Sequence, residues 1–244
     1  MIGTLLNTIT VLLGGAIGVT FGGRLPDRFN QTVIGGLGLF TAAIGVQMFL
    51  NTENPLIVLG SLLVGGILGE WWQIETGLSN IGRFLEKRFT GGKTQTEATA
   101  DQTRQSNRFV RGFLTASLVF CVGPMTILGS IQDGLTGDYS LLAIKSVLDG
   151  FASLAFASSL GVGVLFSSLT VLIFQGGISL LAEQAEALIS PAMMNEMTAV
   201  GGLLLLGISI SSLLEIKPIR TGNFLPALAI APIIVALLNV LGVF

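Results

Sequence analysis

Residues 140–181 read SLLAIKSVLDGFASLAFASSL-GVG-VLFSSLTVLIFQGGISLL. The run carries two charged residues, Lys145 and Asp149. A membrane-crossing helix needs about 20 mostly apolar residues. The run is therefore about twice too long for one crossing, and its only divider is Gly161-Val162-Gly163. A tight turn there makes two consecutive spans. The rest of the chain has the same character: of 244 residues, 51% are apolar and only 11% are charged. Twelve basic and fourteen acidic residues are too few to coat so apolar a chain in water. The chain reads as an all-α, polytopic membrane protein.

Eight runs qualify as spans: 2–22, 32–50, 55–72, 109–129, 140–160, 161–181, 198–214 and 225–243. The first lacks a basic leader and reads as a retained span. The connections alternate in charge. Arg24 and Arg28 follow the first span, and Arg83, Lys87, Arg88, Lys93 and Arg104 the third. Arg108 and Arg111 open the fourth, and Lys217 and Arg220 follow the seventh. The other connections hold no Lys or Arg. Eleven of twelve basic residues thus share one side, which the positive-inside rule makes cytoplasmic, with both termini outside. The twelfth, Lys145, lies inside a span. In the long third connection, Ile74, Leu78, Ile81 and Leu85 repeat at helical spacing with charge between them. This predicts an amphipathic helix on the inner surface. Residues 90–107 are rich in Thr, Gln, Gly and charge and read as a flexible linker.

The chain also resembles itself. Thr32-Val-Ile-Gly-Gly-Leu-Gly-Leu matches Thr198-Ala-Val-Gly-Gly-Leu-Leu-Leu, and six of nineteen pairs in that register are identical. Upstream, Thr10-Val-Leu-Leu matches Thr170-Val-Leu-Ile, with Phe174 and Gln175 as extra residues. Spans 1–3 therefore match spans 6–8. An odd number of spans, five, separates the copies, so the second is inverted. The expected organisation is 1–72 as the first three-span repeat and 73–107 as surface helix and linker. Residues 108–160 are then two spans outside the repeat, and 161–244 the inverted copy. Inverted repeats are a common plan for secondary transporters, with the site near mid-depth.

Rare residue types narrow the chemistry. There is no histidine and a single cysteine, Cys121. Imidazole relays, His-zinc sites, Ser-His-Asp hydrolysis and internal disulfides are excluded. No metal cluster, nucleotide loop, nucleophile–base pair or other cofactor motif is present, so no catalytic residue is assigned. A net charge of −2 offers no field for nucleic acid. The partner is the lipid bilayer, plus a small ion or polar solute.

The transport-site candidates are Lys145, Asp149, Gln175, Pro124, Thr126 and Ser146. Lys145 and Asp149 are four apart on one helix face, and ionisable groups in a span usually face a bundle interior. Gly123-Pro124 sits mid-span, where proline removes an amide donor and clashes with the carbonyl four back, so a helix break is expected. Thr126 follows the break, Ser146 adjoins Lys145, and Gln175 is a third polar group at similar depth. Secondary candidates are Asn7, Glu70 and Asn223. Glu70, beside Trp71 and Trp72, also suits an interface anchor. Gly14, Gly18 and Gly22, and Gly65 with Gly69, allow close helix approach. They suit intramolecular packing, or a homo-oligomer through glycine-rich faces. Three function classes fit: a secondary transporter or channel, a non-transporting scaffold or regulator, and a membrane enzyme without a recognisable motif.

Several motifs together resemble the YqgA/YdfK-type family of bacterial membrane proteins, a domain of unknown function. They are Leu25-Pro26, the run from Leu135-Thr-Gly-Asp138 to Lys145-Ser146 and Asp149, Pro191-Ala-Met-Met194, Ala199-Val-Gly-Gly-Leu-Leu-Leu-Leu206 and Asn223-Phe-Leu-Pro-Ala-Leu228. The resemblance covers essentially the whole chain. It implies a prokaryotic inner-membrane protein and carries over no substrate or catalytic residue. The family pattern often has a smaller residue at the position of Pro124.

Overall fold

In lipid, backbone amides have no water to bond, so apolar runs close their own hydrogen bonds as helices. The computed structural model describes residues 1–22, 27–89 and 100–241, and all regular structure among them is helical. The helices are α1 (Ile2–Gly22), α2 (Asp27–Phe49), α3 (Pro55–Trp72), α4 (Ile74–Phe89), α5 (Ala100–Cys121) and α6 (Pro124–Thr136). They continue with α7 (Ser140–Leu160), α8 (Gly163–Leu180), α9 (Ala182–Leu188), α10 (Pro191–Ile208) and α11 (Pro226–Val240). A π-helical turn, Ser209–Leu213, extends α10, and a 3₁₀ turn, Thr221–Phe224, leads into α11. Among the described residues, seven helices are long and apolar enough to cross a membrane; α5 and α6, bent by 61°, make an eighth if taken as one span.

Local chemistry sets the boundaries. Proline opens α3, α6, α10 and α11, where its missing amide hydrogen costs nothing. Asn54 caps α3 by accepting the Leu56 amide at 3.1 Å, and Ser190 caps α10 by accepting that of Met193 at 3.3 Å. The turn between α7 and α8 falls at Gly161, whose φ of 85° suits glycine.

Three expected boundaries move. The fourth span runs on through α6 to Thr136, which takes Asp133 out of a loop and into a helix. The seventh begins at Pro191 rather than 198, which takes in Glu196. In both cases buried partners replace the water that a charged residue normally demands. The helix α5 begins at Ala100, inside the expected linker; residues 90–99 of that linker lie outside the described residues.

The packing is inside-out relative to a soluble protein. Leu56, Ile67, Phe151 and Ile173 are exposed, whereas Thr4, Asn7, Ser61, Thr126 and Gln175 are buried. At the centre, α1 packs parallel to α7 and antiparallel to α8. The α1–α7 seam needs glycine: a Cβ on Gly14 would lie 2.1 Å from the Gly150 carbonyl oxygen, and one on Gly18 2.2 Å from that of Leu154. The stripe Gly14–Gly18–Gly22 is thus occupied by α7, and Gly65 and Gly69 by Ala227 and Asn223. The helix α2 packs antiparallel to α10, and α3 antiparallel to α11. Chain directions put Arg108, Arg111, Lys217 and Arg220 at one end of the bundle, with Thr52, Asp138 and Glu183 at the other.

Candidate functional site

The close α1–α7 seam brings Asn7, on α1, against Asp149 and Lys145, on α7. The amide nitrogen Nδ2 of Asn7 donates to Asp149 Oδ2 at 2.9 Å and to Gln175 Oε1, on α8, at 2.9 Å. Lys145 ion-pairs with the same Oδ2 and donates to the Phe120 carbonyl at 2.9 Å. That carbonyl lies in the last turn of α5, just before the Gly123-Pro124 break. Proline and the bend leave it free of the usual helical partner, and it also accepts the Thr126 hydroxyl at 3.1 Å. One network therefore joins α1, α5, α6, α7 and α8.

The network is buried: Asn7 and Gln175 are 0% exposed, Lys145 6% and Asp149 9%. Its valences do not all close. Asn7 Oδ1 and Gln175 Nε2 have no hydrogen-bond partner among the described residues. A buried polar atom left unmade costs about 1–3 kcal/mol. Asn7 must direct its NH₂ to the carboxylate, so its free atom is an acceptor; Gln175 must direct its oxygen to Asn7, so its free atom is a donor.

Of the sequence candidates, the structure gathers Lys145, Asp149, Gln175 and Thr126, with Pro124 opening the helix beside them. It promotes Asn7 from a secondary candidate to the hub. Ser146 stays apart, its hydroxyl donating to the Leu142 carbonyl of its own helix at 2.6 Å. Glu70 and Asn223 meet each other elsewhere, at the basic end: Asn223 Nδ2 donates to Glu70 Oε2 at 2.6 Å, and Arg220 pairs with Glu70 at 2.5 Å. Asn223 Oδ1 also accepts the Glu75 amide at 2.8 Å.

Three buried or half-buried acids were not singled out in the sequence. Asp133 accepts the Gly3 amide at 3.1 Å, at the positive end of the α1 dipole. Glu196, fully buried, accepts the Thr52 hydroxyl at 2.7 Å and the amides of Glu53 and Asn54 at 2.9 and 3.1 Å. Glu75 accepts the Gly222 amide at 3.0 Å. For Glu196 a usable signal existed: Ser190-Pro191 marks a helix start five residues upstream.

An apolar cavity of about 450 Å³ adjoins the network across the α5–α6 elbow. Cys121, Val122, Gly123 and Pro124 line it on one side, Phe113, Phe174 and Leu228 on others. Among the described residues no three His, Cys, Asp or Glu converge as metal ligands would.

A whole-chain arrangement of this kind invites comparison with known proteins. A family model described as a protein of unknown function, DUF554, matches residues 2–236. The chain belongs to the DUF554 family. It is 30% identical over 246 residues to the uncharacterized membrane protein YdfK of Bacillus subtilis (strain 168), covering 99% of each chain. It is 33% identical over 232 residues to the uncharacterized protein YqgA of Escherichia coli (strain K12), covering 95% of this chain and 94% of that one. No solved structure matches the chain. The motif resemblance and the family match thus agree across the whole length, and the likeness to YdfK agrees with helices apolar enough to cross a membrane.

Proposed function

We propose that the protein is a secondary transporter or channel for a small ion or polar solute, with Lys145, Asp149, Asn7 and Gln175 as its contact site. The observation that carries this is the pair of unpartnered amide atoms in the buried network. A network that only holds helices together gains most by closing every valence. This one leaves one donor and one acceptor free beside an ion pair of zero net charge, at a helix break. A solute offering both a donor and an acceptor would complete it.

Two further features support the reading. The antiparallel pairings α1 with α8, α2 with α10 and α3 with α11 are what a two-fold relation between inverted copies predicts. Thr32 against Thr198 is an offset of 166 residues, which carries Gly65 and Ala227 onto Ala231 and Ser61, and all four are buried. The clustering of basic residues at one end supports a cytoplasmic position for that end, with both termini outside an inner membrane.

Flux into proteoliposomes tests the function. A solute from an ion and polar-solute panel should accumulate above empty vesicles, and Asp149→Asn and Lys145→Met should abolish it. No flux across the panel removes the reading, and normal flux in both variants removes the site. Orientation is tested in a Cys121→Ser background, where cysteines at Thr52 and Gln184 should react from outside and one at Thr94 only from inside.

The near-complete burial of the Lys145–Asp149 pair favours one rival, a non-transporting scaffold. It predicts that Asn7→Cys never reacts with a water-soluble thiol reagent under any condition, whereas a transport cycle must expose it.

A further inference from the structure

A second cavity of about 50 Å³, with a lining half polar and half apolar, lies at the basic end of the bundle. Glu75 of α4, Thr115 of α5, Ser212 of the π-helical turn, and Thr221 and Gly222 of the 3₁₀ turn line it. Water occupies roughly 30 Å³ per molecule in the liquid, so the space holds one small ion or one to two waters. Its polar side chains all present oxygen.

Two independent observations ask for a positive occupant. The first is charge. Glu70 and Arg220 are the charges beside Glu75, and Arg220 is already committed to Glu70 at 2.5 Å. Glu75 forms no ion pair among the described residues, and the charges acting on it are those of Arg220 and Glu70. The cluster therefore keeps one uncompensated negative charge, half-buried. Burial raises the Glu75 carboxyl above the ordinary carboxylate range, despite the Gly222 amide and Arg220, which lower it. The second observation is Thr115. It is 2% exposed, and its Oγ1 has no partner among the described residues. A π-helical turn beside such a group is a frequent mark of a functional position.

We propose that Glu75, Thr115, Ser212 and Thr221 bind a small monovalent cation of sodium size. Hard cations take carboxylate, hydroxyl and carbonyl oxygens. A single carboxylate matches one positive charge, whereas a divalent ion would leave the cluster with an excess buried charge. An anion would be repelled by Glu75.

Thermal unfolding of the full chain in detergent tests this, with sodium chloride against N-methyl-D-glucamine chloride at equal ionic strength. Saturating sodium should raise the midpoint by about 3–5 °C. Glu75→Gln, which can still accept the Gly222 amide, should lose the shift. Thr115→Val, which removes a hydroxyl that bonds to nothing else, should weaken sodium affinity about tenfold. Equal midpoints in the two salts overturn the proposal. So does a wild-type sodium response in Glu75→Gln or, if that variant fails to fold, in Thr115→Val. A midpoint that moves with pH but not with sodium identifies a protonation site and overturns it too. No flux enters the measurement, so this proposal and the transport proposal fail separately.

Discussion

Glu196 and Asp149 are both carboxylates buried inside a membrane bundle, and they are held in opposite ways. Glu196 receives three donors, two of them backbone amides of the α2–α3 connection, shared over both its oxygens. Backbone donors are fixed by the fold, so Glu196 works as a permanent strut. Asp149 takes Lys145 and Asn7 on one oxygen, both through side chains that can rotate. Its neighbours also keep unused valences. A carboxylate pinned by backbone stabilises one conformation; one held by mobile side chains can exchange partners.

Substitutions can break or sharpen that contrast. The largest effect is expected at Lys145→Met, which strands a buried carboxylate and should cost about 3–5 kcal/mol in unfolding experiments. The double change Lys145→Met/Asp149→Asn should recover most of it. A single variant as stable as the wild type would show that the two charges are not coupled. Next comes Glu196→Ala, which orphans two backbone amides and should cost about 3 kcal/mol. Here no second substitution rescues, because the abandoned donors belong to the main chain. If per-molecule flux also disappears in this variant, the division between strut and site is wrong. Smaller again is Gly14→Ala. It forces the α1–α7 seam apart at a cost of about 1–3 kcal/mol and should loosen the contact between Asn7 and Asp149. Crosslinking of cysteine pairs across the seam measures it. The smallest effect belongs to Asp138, fully exposed before α7. The Ser140 hydroxyl and amide, with Gln132, hold its carboxyl below the ordinary aspartate range. A lowered folded-state pKa gives stability that is present above the ordinary value, about 3.9, and is lost as pH falls through the folded value. Asp138→Asn should therefore lower stability slightly at neutral pH, leave it unchanged at strongly acid pH, and flatten the acid limb of a stability–pH curve between them.

Much of this was legible in the chain, for specific reasons. The helices α1, α3 and α7 begin and end where the apolar runs do, because proline, glycine or a polar turn bounds each one. The break in the fourth span was legible from Gly123-Pro124, and the Lys145–Asp149 pair from its spacing on one helix. The rest depended on which helices are neighbours. Asn7 is no more than a secondary candidate until α1 lies parallel to α7, a relation that no local pattern encodes. Asp133 and Glu196 fall outside the apolar runs, where charge usually means water; here backbone amides take water's place. Glu75 lay in a helix whose amphipathic pattern already accounted for its charge.

The parallel seam between α1 and α7 has a consequence for assembly. About 120 residues separate the end of α1 from the start of α7. At roughly 5–20 residues per second, synthesis of that stretch takes on the order of 6–24 s. During that interval the glycine face of α1, with Asn7 on it, has inserted but has no mate, and its amide meets hydrocarbon or whatever shields it. The flanking pairs close later still, since α2 waits about 140 residues for α10 and α3 about 150 for α11. Each of the first three helices thus waits for a mate made in the second half of the chain.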